Sequence, residues 1–338
     1  MQLKYSFIIP VYNRPEEIRE LLQSMSSLEF SRPFEIIIIE DGSTVPAKTV
    51  VEQYNDLLNI NYLSKENSGP GDSRNYGMNR AQGDYFLILD SDVILPQEYL
   101  KEVDKFLSVN FFDFFGGPDG AHPNFSDLQK AINYSMTSLF TTGGIRGNKN
   151  AVGRFQPRSF NMGLSKNAFE ASGGFGTIHP GEDPDLTLRL WSLGFKSAFI
   201  PNAIVFHKRR IDWDKFYTQV NKFGKARPIL NSWHPHSAKI TYWFPSLFLT
   251  GLAMALILLI FGYAWLLIIY MVYMLIIGLD AAIKNKSFNI GIAAMRATLV
   301  QFWGYGIGFV ASAWKIKVLK EHPPNAFPEL FFHDTKKK

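Results

Sequence analysis

Tyr85-Phe86-Leu87-Ile88-Leu89-Asp90-Ser91-Asp92 is a short apolar run closed by two carboxylates spaced i and i+2. An apolar run of this length reads as a buried strand. Alternate side chains of an extended chain share a face, so Asp90 and Asp92 project the same way from a sheet edge. A hard divalent cation and its phosphate ligands are suited to such a place.

Outward from this stretch, the apolar runs Tyr5 to Pro10, Phe34 to Ile39 and Ile60 to Leu63 repeat the strand pattern. Helical stretches near 15–27, 46–58, 71–81 and 97–107 separate the runs. Strands alternating with helices of this length pair in parallel through right-handed crossovers, which predicts a doubly wound α/β sheet. Ligands of such sheets gather at the carboxyl ends of the strands.

The polar residues that follow each run are therefore the ones to inspect. They are Pro10 to Arg14, Glu40-Asp41-Gly42-Ser43, Asn67-Ser68-Gly69-Pro70-Gly71 leading into Arg74 and Asn75, and Asp90-Ser91-Asp92. Taken singly, Asp-Gly is most often a turn and Asn-Ser-Gly most often a loop. Together, at equivalent ends of parallel strands, the four groups can converge on one ligand. Further on, Glu182-Asp183 opens a helix marked by Pro184, where acids either cap the first turn or carry chemistry.

The order and spacing of these segments resemble the family 2 glycosyltransferases of the GT-A fold. The likeness runs through Ile9 to Asn13, Glu40 to Ser43, Gly69 to Gly77, Gly83-Asp84-Tyr85 and Leu89 to Asp92. It continues through Phe160 to Gly163 and Gly181 to Leu186, as far as Arg189-Leu190 and Gly194-Phe195. By that resemblance Asp41 hydrogen-bonds a nucleotide base, with Pro10, Tyr12 and Asn13 in the same pocket and Asn67, Gly71, Arg74, Asp90 and Ser91 completing the nucleotide site. Asp92, with Asp90 and His207, would hold Mg²⁺ or Mn²⁺. Asp183 would be the catalytic base, with Glu182 orienting the acceptor, and Asn161, Arg158, Arg189 and Gln219 would meet acceptor or phosphate.

Alternatives stay open for several of these residues. Arg74 either forks onto a phosphate or pairs on its helix with Asp72 or another acid. His207 either completes the metal site or is structural, and Lys208 and Arg209 can meet phosphate or lipid headgroups. Where processive members carry Gln, two residues, Arg and Trp, this chain has Gln219-Val220-Asn221-Lys222-Phe223. Lys and Phe lack the planar bidentate fork and indole of that pattern, so transfer of a single sugar is the reading adopted. The glycine-rich stretch 117–158, with Arg146, Lys149, Arg154 and Arg158, reads either as an acceptor loop whose cations hold a lipid phosphate or as a loop with solvated cations, the default.

The last third of the 338 residues differs in kind. Forty consecutive residues, Ile240 to Leu279, carry no charge. At about 1.5 Å per residue they make roughly 60 Å of helix, enough for two passes of a bilayer. Gly262 and Tyr263 mark the turn, while Tyr242, Trp243 and Trp265 suit the interface. A buried helical pair in a soluble protein is the alternative, though few such helices lack charge over this length. Residues 289–313 are a third apolar stretch, weakened by Arg296 and Gln301, and read as interfacial or re-entrant rather than spanning.

Formal charge is −6 over residues 1–203, +6 over 204–240, +2 over 241–313 and +3 over 314–338. A basic excess flanking apolar helices suits anionic headgroups and argues against a nucleic-acid partner. Met1 to Val11 reads as a first strand and not a signal peptide. No cysteine is present, so disulfides and thiolate metal sites are excluded.

The sequence thus predicts a catalytic domain over 1–235, a transmembrane hairpin over 236–283 and an apolar helix with a basic tail over 284–338. Its expected activity is inverting, metal-dependent transfer of one sugar from a nucleotide-diphosphate sugar, UDP-sugars favoured, to a lipid-linked or glycan acceptor. It would act in glycan or polysaccharide synthesis at the cytoplasmic face of the inner membrane. Rivals are a polyprenyl-phosphate sugar synthase and, from another class, a non-catalytic sugar-nucleotide-binding membrane subunit.

Overall fold

The computed structural model describes residues 2–120, 125–143, 155–207 and 212–332. It divides into two compact units: one of residues 1–122, 147–207 and 331–338, the other of 123–146 and 208–330. The division differs from the boundary expected at 235, because segments 123–146 and 208–235 group with the C-terminal helices.

In the first unit the strands are β1 (Tyr5–Val11), β2 (Glu35–Asp41), β3 (Ile60–Lys65), β4 (Tyr85–Leu89), β5 (Val93–Ile94), β6 (Phe114–Gly116), β7 (Asp119–Gly120), β8 (Asn161–Ser165), β9 (Ser197–Phe199) and β10 (Val205–His207). Seven form one sheet in the order β3-β2-β1-β4-β8-β6-β9, and β5, β10 and β7 form a small second one. Strands β1 to β4 pair in parallel, whereas β8 runs antiparallel to both β4 and β6. The doubly wound, mostly parallel sheet is as expected. The strand order reverses between β1 and β4, so the crevice beyond their carboxyl ends is the natural ligand site.

Both faces of the sheet are covered, and the strands show it residue by residue. Phe7, Ile9, Ile36, Ile38, Leu87 and Leu89 join one core with helices Pro15–Met25 and Tyr99–Val109. Their neighbours Ile8, Ile37, Ile39, Phe86 and Ile88 join the opposite core, with Met78, Phe169, Leu186 and Leu190. Period-2 alternation with apolar residues at every position is what burial on two faces requires. The even-numbered side of β4 therefore faces helices Pro70–Met78 and Glu182–Ser192, and Asp90 continues that side.

The second unit is helical. Ile240–Ile260 and Trp265–Asn285 have mean hydropathies of 2.1 and 2.4 and are long and apolar enough to cross a membrane. The turn between them holds Gly262 at φ 84°, as anticipated. Phe288–Ala313 is one unbroken helix, which leaves no reversal for a re-entrant segment. Small residues let its neighbours approach: a Cβ on Gly304 would lie 2.6 Å from Val220, and one on Gly291 2.6 Å from the Gly278 carbonyl. Arg296, which looked out of place in an apolar helix, lies over the Trp213 ring at 4.5 Å.

Gly163, at the centre of β8, faces the Phe115 ring so closely that an added Cβ would overlap it. Gly163→Ala should destabilise the protein by about 1–3 kcal/mol by overpacking, read as a lower denaturant midpoint.

Candidate active site

Arg74 sits at the middle of helix Pro70–Met78 and is 3% exposed. Its Nη2 donates to Asp90 Oδ1 at 2.7 Å and its Nη1 to Glu182 Oε1 at 3.2 Å. One guanidinium thus joins the acid at the end of β4 to the acid that opens helix Glu182–Ser192. The Phe175 ring lies against it, 5.2 Å from centroid to Cζ. Of the two readings of Arg74 left open, pairing with acids is the one observed, and Asp72 is not its partner: Asp72 accepts from Ser68 instead.

Glu182 is also buried. Its Oε1 accepts from His179 Nδ1 at 2.9 Å and its Oε2 from the Gly181 amide at 2.9 Å. Burial pushes its carboxyl up, but His179 and Arg74 outweigh burial and hold it well below the usual carboxylate range. The adjacent Asp183 goes the other way. Burial and the Glu182 charge raise it to about 6, against the pull of Arg74, Arg158 and a hydrogen bond from Ser159. Its Oδ1 has no hydrogen-bond partner among the described residues. Two neighbouring carboxyls with opposite shifts are a signature of divided acid–base roles.

On the β4 side, Asp92 is ion-paired with Arg14, the residue before helix Pro15–Met25. Asp90 is 31% exposed, so it presents oxygen to the crevice while holding Arg74. The backbone of His207 pairs with Val93, bringing β10 alongside the acidic turn. Among the described residues no group of three metal-ligating side chains stands together.

The loops after β1, β2 and β3 form a connected wall. Asp41, expected to face a base, instead accepts from Lys65 Nζ at 2.6 Å and from the amides of Ser68 and Gly69 at 3.0 Å each. It anchors the loop. Asn67 donates to the Asp41 carbonyl at 2.8 Å. The Asn13 side-chain oxygen is likewise taken up by Thr44 and Val45, whose amides donate at 2.8 and 2.9 Å. Tyr12 is exposed and available for stacking, whereas Ser91 is buried. A Cβ on Gly71 would lie 2.8 Å from the Gly176 carbonyl, so the helix packs closely on the 173–176 loop here.

Asn161 and Arg189, expected to meet acceptor or phosphate, are held by protein groups. Asn161 is fully buried, taking a hydrogen bond from Tyr99 Oη at 2.8 Å and giving one to the Ala203 carbonyl at 2.7 Å. Arg189 staples the glycine-rich loop, donating to the Ser172 and Gly174 carbonyls at 2.6 Å and to Asp185 at 2.9 Å. Gln219 lies on helix Trp213–Trp233 of the helical unit. Arg158 does stand beside Asp183, within its electrostatic reach. Arg146, Lys149, Arg154, Lys208 and Arg209 lie outside the described residues, as does the side chain of His207.

Lys65, Ser159 and His179 were not among the residues expected at the site, and Arg14 was expected only as part of the loop after β1. Arg14 and Lys65 neutralise acids that the sequence had singled out. A rule that a buried acid demands a cation would have prompted a search for them, but not chosen among the candidates.

Residues 6–164 match the family model described as Glycosyl transferase family 2. The chain carries a family 2 glycosyl transferase domain. It is 34% identical over 114 residues to the poly(ribitol-phosphate) beta-N-acetylglucosaminyltransferase TarS of Staphylococcus aureus, a match that covers 33% of this chain and 20% of TarS. It is 29% identical over 158 residues to the minor teichoic acid biosynthesis protein GgaA of Bacillus subtilis, covering 45% of this chain and 31% of GgaA. The chain thus spans only a fifth to a third of these two relatives. The fold is similar to that of the mannosyltransferase PcManGT of Pyrobaculum calidifontis, solved with GDP-Man and Mn²⁺. That structure aligns with a TM-score of 0.58 at 16% identity over 95% of this chain and 89% of its own.

Removing Arg74 leaves Asp90 and Glu182 facing each other without a shared cation. Arg74→Met should destabilise the fold by about 3–5 kcal/mol, and Arg74→Lys, with one point charge in place of a fork, should recover only part of that in thermal unfolding.

Proposed function

We propose that the family 2 domain transfers one sugar from a nucleotide-diphosphate sugar, with a UDP-sugar favoured, to an acceptor hydroxyl, inverting the anomeric centre. The observation that carries this reading is the Arg74 bridge, which draws the donor-side acid Asp90 and the acceptor-side acid Glu182 to one buried charge. Asp183 takes the proton from the acceptor hydroxyl, whose oxygen forms the new bond to the anomeric carbon. The bond to the diphosphate breaks, and its electron pair leaves with the phosphate oxygen. A base with a pKa near the working pH suits this step, and Asp183 at about 6 meets it. No cysteine is available for a covalent route.

Asp90 and Asp92 carry the hard carboxylate oxygens that Mg²⁺ or Mn²⁺ prefers, and these two acids would hold such an ion. When bound, the ion would neutralise charge on the departing diphosphate. Asp92 would share its carboxylate between the ion and Arg14, its present partner. His207 remains the third candidate ligand.

The acceptor is proposed to be lipid-linked. Two helices of membrane-crossing length and a basic excess of +6 over residues 204–240 support attachment at the cytoplasmic face, where substrate and enzyme share a surface. The poly(ribitol-phosphate) in the name of TarS and the teichoic acid in that of GgaA support a polyol-phosphate or similar glycan as the acceptor class.

Purified membranes incubated with a panel of sugar nucleotides should release one nucleoside diphosphate in an acceptor-dependent manner, and failure with every donor would sink the proposal. Asp183→Asn should lower turnover by about 10²–10⁴-fold. A variant retaining most of its rate would point to a phosphate acceptor, which needs no strong base. Because the base works ionised and its pKa is raised to about 6, the rate should climb as pH rises through that value and level off above it. Chelation should abolish release of the nucleoside diphosphate and Mn²⁺ or Mg²⁺ restore it; turnover indifferent to chelator would remove the role given to Asp92.

A further inference from the structure

The chain returns to the catalytic unit at its end, and Phe331 and Phe332 belong to that unit. Phe331 forms an antiparallel bridge with Ile178, and the Phe332 amide donates to the Thr177 carbonyl at 3.1 Å. The backbone of the segment is therefore fixed beside the 177–179 loop. Its aromatic ring then reaches across to a different loop. It packs on Gly69 so closely that a Cβ there would overlap the ring. The same ring stands 6.0 Å from the His179 imidazole, centroid to centroid.

Both contacts lead into the site. Gly69, at φ 92°, gives its amide to Asp41 and is the N-cap residue of the helix that carries Arg74. His179 is ion-paired with Glu182, next to Asp183. The Gly69 turn and the His179 loop are 110 residues apart in sequence, and Phe332 touches both.

We propose that Phe332 is a positioning residue that clamps the Gly69 turn against the His179 loop, setting the donor-side wall in register with the acceptor-side acids. The clamp rests on the reading of this site as a nucleotide-sugar site for its effect on donor binding, but not for its effect on the loop. Gly69 serves two ends here: it adopts a left-handed conformation, and its missing side chain is the seat for the ring. Loss of the ring opens that seat and frees the turn whose amides hold Asp41.

Two readouts on the protein, wild type against Phe332→Ala, test the clamp. Hydrogen exchange of residues 66–71 should accelerate in the variant, because Ser68 and Gly69 lose their support. Titration with UDP should show binding weakened about tenfold, equal to roughly 1.4 kcal/mol, with Phe332→Tyr restoring both properties. Unchanged exchange in a folded Phe332→Ala protein overturns the clamp. Faster exchange with undiminished UDP affinity overturns its role in positioning the donor. If the wild type binds neither UDP nor GDP, the nucleotide-sugar reading fails on its own, and exchange at 66–71 still decides whether Phe332 holds the turn. Should Phe332→Ala fail to fold, Phe332→Leu, which keeps bulk without the flat ring, carries the same two measurements.

Discussion

A single buried guanidinium balances the charge of the candidate site. Taking Arg74 out of water is unfavourable unless acids surround it, and burial does work against its charge, but Asp90, Glu182 and Asp183 outweigh it. Those acids come from the end of β4 and from the first turn of helix Glu182–Ser192. Each would be costly to bury alone. The cation makes their approach favourable, so the two halves of the site are held together by the same charge balance that stabilises the fold.

This balance also divides the labour of two adjacent carboxyls. Glu182 lies between Arg74 and His179 and stays ionised, whereas Asp183 meets the Glu182 charge and the loss of solvent with weaker compensation. A sequence neighbour is thereby left with its carboxyl raised to about 6. The difference arises from which partners each carboxyl reaches, since the two residues share a helix turn and nearly the same chemistry.

The helical unit follows a different logic. Helix Phe288–Ala313 buries glycine and alanine along the seams with its neighbours, and close approach of backbones replaces the side-chain interdigitation of the sheet cores. The helices Ile240–Ile260 and Trp265–Asn285 keep large apolar side chains outward, among them Leu247, Leu256, Ile268 and Met271. An apolar exterior of this kind suits lipid better than water.

The sequence by itself determined the strands β1 to β4, the loops that follow them, the apolar hairpin with its turn at Gly262, and the family, because hydrophobic periodicity and motif order are local properties. It also named both ends of the Arg74 bridge without joining them. Only the tertiary structure decided that Arg74 faces Asp90 and Glu182, that Asp41 and Asn13 bond to their loops, that Asn161 is buried and Arg189 bonds to the glycine-rich loop, and that Phe332 sits on Gly69. The reason is physical. Which cation answers a buried acid, and which backbone groups a side chain satisfies, depends on neighbours tens to hundreds of residues away, and packing alone brings them into reach.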